Sequence, residues 1–407
     1  MRLIFKVISA FCLIISLSVF SLGVFGFYTL PDQISIGAES AEQKNAIYKV
    51  QSVSSDGQAR TLSANTDENE NAFYSLLGIF PVKKVNITNS ERTYVYPSGE
   101  AFGLKLYSKG VLVVGIDDIL TSDGSVSPAK QAGLQVGDII EKLDGKSVQS
   151  NADVSRFLAS SDGETVEMLI DRNGEEKLLS FKPVRSDGGT LKAGMWIRDS
   201  FAGIGTMTFY TEKTNMFGGL GHAVTDIDTG QTVKVSDGEA VRANISGCVK
   251  GSKEAAGELF GSFTDEKIGD LSVNSDRGVF GQISSTPSGK EKIPVALKQE
   301  ISTGKAQIIS TVDETGPQYF DINIIKLFSS SDRNMKNMII EVTDERLISK
   351  TGGIVQGMSG SPIIQNGRLV GAVTHVFINN PLQGYAIYAQ NMLDEAENIT
   401  ANEKAAA

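Results

Sequence analysis

Ser359 stands in Gly357-Met358-Ser359-Gly360-Ser361-Pro362, a hydroxyl flanked by residues that free the backbone. Gly357 permits a tight turn before the serine and Gly360 leaves the space behind it clear, so the N–H groups of Gly357 and Ser359 can converge on one point. Paired N–H donors beside a nucleophile suit acyl transfer, in which negative charge develops on a carbonyl oxygen. A serine hydroxyl is inert at neutral pH without a base, and the chain has only two histidines, His222 and His375. His222 lies in Gly218-Gly219-Leu220-Gly221-His222-Ala223-Val224, where small residues allow another backbone or a ligand to come close. It precedes the serine by a long interval and is the favoured base, with His375 as the alternative. Asp344 is the favoured orienting carboxylate. Asp226, Asp228 and Glu341 remain open for that role.

Two strands must carry this serine. Ser361-Pro362-Ile363-Ile364-Gln365 and Arg368-Leu369-Val370-Gly371-Ala372-Val373 flank Asn366-Gly367, the pattern of a hairpin with a tight turn. A nucleophile turn leading into a hairpin resembles the chymotrypsin-like double barrels, whose chain order of triad members also matches His222, Asp344, Ser359. The Gly-x-Ser-x-Gly elbow of α/β-hydrolases would continue into a helix, so an esterase of small molecules is disfavoured. Residues 190–397 are short apolar segments broken by Gly, Asp and Asn, such as 202–210, 306–312 and 338–342. They fit a pair of β-barrels with the site in the cleft between them, and residues 398–407 read as a tail.

Residues 92–185 form another unit. Ser127-Pro128-Ala129-Lys130-Gln131-Ala132-Gly133-Leu134-Gln135-Val136-Gly137-Asp138-Ile139-Ile140, followed by Leu143-Asp144-Gly145-Lys146, looks like a PDZ domain of the bacterial type. Such domains bind by β-augmentation, an extended peptide adding to a sheet edge. The apolar-Gly-apolar run Phe102-Gly103-Leu104 is expected to offer the free N–H groups. Phe102, Leu104, Leu106 and, from a helix with Asn151 as its N-cap, Phe157 would line the apolar pocket. Ser186–Gly189 reads as a hinge before the catalytic unit.

Residues 31–91 read as a polar linker, with 72–87 as a segment that docks on the next domain or mimics a substrate strand. Before it, Val7 to Leu30 carry no charge, which is long enough to cross a hydrocarbon core of roughly 30 Å. Arg2 and Lys6 precede this run and Asp32 and Glu39 follow it, so an uncleaved anchor with the remainder exported is expected. A net charge of −10 argues against nucleic acid. Two histidines and two distant cysteines, Cys12 and Cys248, argue against a zinc site or a disulfide framework. No cofactor is expected.

An anchor, a PDZ domain, Gly-Leu-Gly-His-Ala-Val-Thr-Asp and Thr-Gly-Gly-Ile-Val-Gln-Gly-Met-Ser-Gly-Ser-Pro-Ile together resemble the stage IV sporulation protein B peptidases of endospore-forming Firmicutes, from the anchor to Leu393. The resemblance implies Ser359 as nucleophile, His222 as base and Asp344 as third member, although Asp344 lies only 15 residues before Ser359, on the serine's side of the chain. It also implies a self-cleaving peptidase secreted from the forespore into the intermembrane space. Its substrate would be a regulator bound to an intramembrane metalloprotease whose action activates a sigma factor, and a secreted inhibitory protein would be a further partner. A non-catalytic PDZ scaffold with a degenerate protease domain is the competing reading.

Overall fold

The computed structural model describes residues 2–30, 33–36, 47–53, 59–61, 71–89, 92–284, 291–328 and 336–406. The chain is mainly β. Its N-terminus is one helix, Arg2–Thr29, whose stretch Ile4–Thr29 is strongly apolar, with Lys6 as its one charged residue, and is largely unburied by the protein. At 1.5 Å per residue those 26 residues extend about 39 Å, enough to cross a bilayer.

The described part of residues 31–91 is not a bare linker. Five strands, Gln33–Ile36, Tyr48–Val53, Ala59–Thr61, Asn71–Leu76 and Phe80–Asn89, form one sheet. Its core holds Ile34, Tyr48, Val50, Tyr74, Leu76, Val85 and Ile87, so the apolar run 72–87 packs within this sheet. The sheet also grips the helix: Tyr48 donates its hydroxyl to the Leu22 carbonyl and Lys83 its ammonium to Leu30.

Two barrels follow. The pairings of Ala101–Ile116, Val235–Val249, Glu258–Ser275, Gly278–Ile283, Met216–Gly219 and Met195–Tyr210 run in that order and close, because the last strand pairs with the first. Phe102, Leu104, Leu106, Met207, Phe217, Leu220, Leu271 and Val279 fill this first barrel. The second closes from Gly304–Thr311, Pro317–Leu327, Met338–Val342, Asn380–Tyr388, Arg368–Phe377 and Pro362–Gln365. Its hairpin turns at Asn366 and Gly367 with φ of 52° and 71°, the positive values that favour Asn-Gly. A further apolar layer, with Phe209, Phe280, Leu369, Ile387 and Met392, joins the barrels beneath the helix Ala389–Ala406. That helix runs on through residues expected to be a tail.

The PDZ unit is inserted into the first barrel and does not simply precede it. Strand Ala101–Ile116 serves both: residues 102–108 pair with 235–242, and 111–112 pair with 139–140. The PDZ core gathers Val111, Val113, Ile140, Leu143, Val154, Leu158, Met168, Ile170 and Phe181. Its helix Asn151–Ser160 begins at Ser150, whose hydroxyl accepts from Asp153 N–H while the Asp153 carboxylate accepts from Ser150 N–H. This capping box moves the cap one residue before Asn151.

Candidate active site

The turn carrying Ser359 is built by both barrels. Thr206 N–H, on the first barrel, donates to the Ser359 carbonyl at 2.9 Å. The hydroxyls of Thr206 and Thr208 donate to the Gly357 and Gly360 carbonyls at 2.8 and 2.7 Å. Gly360 has a φ of 95°, and a Cβ there would lie 1.9 Å from the Thr206 carbonyl oxygen, so no side chain fits. Within the turn Met358 N–H donates to Val355 and Gly360 N–H to Val373. Gly357 and Ser359 appear as donors in none of these bonds, so among the described residues their N–H groups are left unpaired beside the hydroxyl.

His222 arrives on the loop after Met216–Gly219. Leu220 and Gly221 have φ of 62° and 69°, reversing the chain before the imidazole. Gly221 packs on the second barrel, its Cβ position lying 3.0 Å from Thr374 Cγ2. Thr374 carries the Ser359 side as well, since the Ser359 hydroxyl donates to the Thr374 carbonyl at 2.6 Å. The candidate nucleophile and the loop that carries the candidate base thus both touch one residue of the strand Arg368–Phe377. His222 Nδ1 lies 2.8 Å from the Ala223 carbonyl oxygen. A carbonyl only accepts, so Nδ1 carries the proton and Nε2 presents its lone pair. Burial pushes the His222 pKa down from its ordinary value, against the opposing pull of the Ala223 carbonyl, which keeps the ring neutral and free to accept a proton.

The structure places the other sequence candidates elsewhere. Asp344 does not meet His222. It caps the helix Glu345–Thr351, its oxygens accepting from Arg346 N–H, from the Arg346 guanidinium and from Asp321 N–H. The hydrogen bonds from Arg346 hold its pKa at about 2, so it is an ionised structural carboxylate. Asp226 and Asp228 both pair with Arg198, and Glu341 accepts from Gln383. His375 lies against His222, ring centroids 4.7 Å apart; partial burial, then His222 and Lys336, push its pKa down to about 4.

The expected peptide groove also moves. Phe102, Gly103 and Leu104 pair with 203–205 on one side and 240–242 on the other, leaving no edge to augment. Phe102, Leu104 and Leu106 are buried in the first barrel, and a Cβ on Gly103 would strike the Phe263 ring at 2.5 Å. Phe157 packs on the PDZ core under Lys146. A groove of about 930 Å³ instead lies between Val154, Ser155 and Leu158 of the PDZ helix and the segment Gly194-Met195-Trp196-Ile197. The Gly194 carbonyl accepts from Asp117 N–H, so strand alternation turns the N–H and C=O of Met195 the other way, toward the helix. Gly194-Met195-Trp196-Ile197 repeats the Gly-apolar pattern first sought at 102–104 and contains the chain's single tryptophan, 64% exposed. That signal was present in the sequence, but after the PDZ run, not before it. The next residue, Arg198, holds Asp226 and Asp228 on the loop that follows His222.

The profile of the SpoIVB peptidase S55 family matches residues 189–393, and that of a PDZ domain matches residues 124–172. Over 94 residues, 23% of this chain and 25% of the other, the sequence is 32% identical to a Bartonella henselae protein that carries the name of a zinc metalloprotease. A DegP-like periplasmic serine endoprotease of Halomonas elongata is 27% identical over 201 residues, 49% of this chain and 36% of that protein. The chain therefore spans about a quarter to a third of the length of these relatives. The protease Rv3671c of M. tuberculosis, in its active form, aligns in structure over 48% of this chain and 74% of its own, at 13% identity and a TM-score of 0.28.

Proposed function

The chain belongs to the SpoIVB peptidase S55 family, and from that premise we propose that it is a membrane-anchored serine endopeptidase cutting an exported protein and itself. The observation that supports this most is the pairing of a hydroxyl flanked by two unpaired N–H groups with a neutral imidazole whose Nδ1 is already occupied. Ser359 Oγ attacks the scissile carbonyl and its proton passes to His222 Nε2. The oxyanion takes the N–H groups of Gly357 and Ser359, and His222 returns the proton to the leaving amine. Water then hydrolyses the acyl-serine by the same path. The resting hydroxyl donates to the Thr374 carbonyl, so attack requires a rotation of Ser359 toward His222.

An extended peptide added at Met195–Ile197 would place the substrate, or a second copy of the chain, beside the cleft. The biological role follows the family. The catalytic portion acts in the space between forespore and mother cell. It cuts a regulator of an intramembrane metalloprotease, so that a sigma factor is activated, and a secreted inhibitory protein restrains it. A cut between about Ala38 and Asn71 frees it from the anchor; residues 38–46, 54–58 and 62–70 of that window lie outside the described ones.

Full-length wild type, Ser359→Ala and His222→Ala would be compared for self-cleavage and for labelling by a fluorophosphonate. Both variants should lose cleavage by several orders of magnitude while staying folded. Normal cleavage by folded Ser359→Ala removes this assignment.

A further inference from the structure

His222 has no carboxylate partner among the described residues, yet its ring is not loosely held. The Ala223 carbonyl that accepts from Nδ1 belongs to the peptide unit whose N–H is that of Val224. That N–H donates to Asn274 Oδ1 at 2.8 Å. The C=O and N–H of a trans peptide point in opposite directions, so one rigid plane is held by Asn274 at one end and by the imidazole at the other. Asn274 Nδ2 adds bonds to the Val224 and Val233 carbonyls, each 2.9 Å, and Val233 N–H closes the set on Val224. One side chain therefore uses its acceptor and both of its donors to fix the loop. Asn274 is the next-to-last residue of the long strand Glu258–Ser275, opposite Val279. Its hairpin also reaches the base from the other side, since a Cβ on Gly278 would lie 3.2 Å from Gly221 N.

We propose that Asn274 is a positioning residue for the catalytic base, acting through the Ala223–Val224 peptide where other serine peptidases use a carboxylate. When His222 takes the Ser359 proton, Nδ1–H becomes a cationic donor and bonds the Ala223 oxygen more strongly. The Val224 N–H bond to Asn274 polarises the same peptide and adds to that stabilisation. The arrangement is neutral, so it holds the tautomer while raising the imidazole pKa less than a carboxylate would. This inference rests on His222 being the base.

The test uses the full chain and a peptide spanning its own cut site, with steady-state constants followed across pH. Asn274→Ala should lower kcat by roughly a hundredfold, the cost of a misplaced catalytic group, with KM within about threefold. Asn274→Asp keeps the acceptor for Val224 N–H and adds a negative charge. It should recover much of that loss, and the acid limb of its pH profile should move up, because an anion favours the imidazolium. If Asn274→Ala keeps wild-type kcat, or Asn274→Asp leaves the acid limb in place, the inference fails. If Asn274→Ala does not fold, the limb of Asn274→Asp decides alone. His222→Ala, run beside them, separates the two readings. Retained activity there overturns the assignment of the base, whereas its loss together with an indifferent Asn274→Ala overturns only the relay.

Discussion

The two sides of the catalytic cleft are held by different means. The Ser359 turn is clamped by backbone and by two buried threonine hydroxyls, with no space for a Cβ at Gly360. The His222 loop hangs from one asparagine and from charged contacts to the PDZ unit. Arg198 pairs with Asp226 and Asp228, and Lys234 pairs with Asp171. A backbone clamp has one geometry, whereas ion pairs whose cations stand partly in solvent are more adjustable. The difference teaches that the proposed nucleophile is the fixed member of this site and the proposed base is the member open to control.

The largest effect should come from breaking the fixed side. Gly360→Ala combines a φ of 95° with a Cβ 1.9 Å from backbone oxygen, so the barrels must part. A loss above about 3 kcal/mol and no activity are expected. A folded, active Gly360→Ala by denaturant titration would show that the turn is as pliable as the loop. An intermediate effect is expected on the adjustable side. Arg198→Ala leaves the buried Asp226 without its cation, although Asp228 N–H and Thr229 N–H still serve it. About 1–3 kcal/mol is expected at this partly exposed pair, with kcat changed several-fold and labelling of Ser359 less affected. An Arg198→Ala enzyme with wild-type kcat would disconnect the PDZ unit from the base.

The smallest effect is a pH shift. Burial lowers the His222 pKa, so the imidazole is neutral above that value and the acid limb of kcat/KM should lie below about 6.5, the free imidazole value. Removing the ring that lies 4.7 Å away, in His375→Ala, admits water and should move the limb upward by a fraction of a unit. A downward shift would mean that His375 does not shield the base.

Much of this was legible in the residues. Gly-x-Ser-Gly followed by an Asn-Gly hairpin identifies its turn from local rules alone, and Asp144-Gly145 does the same in the PDZ unit, with φ of 44° and 73°. The errors were of long range. Phe102-Gly103-Leu104 and Gly194-Met195-Trp196-Ile197 carry similar local patterns, and only the closure of the first barrel decides which becomes an edge. Asp344 has the chain order of a triad member, but a helix starts one residue after it and takes its oxygens as a cap. Asn274 carries no motif at all. Its role exists only because a hairpin tip folds back on a loop about fifty residues earlier in the chain.

The strand Ala101–Ile116 also sets an order of events during synthesis. Its residue Gly103 must wait for Ile204, about a hundred residues later, before the first barrel gains that neighbour, and for Val241 on its other edge. Pairings so distant in sequence form slowly, because the loop between them must be closed first. The inserted PDZ unit has its own core and can fold in the meantime, shortening that loop. Until residues 195–283 have emerged, neither the Thr206 clamp nor the His222 loop has a barrel to stand on. A peptidase built in this way cannot assemble its site until nearly the whole chain has been made, so cleavage waits on the completion of both barrels.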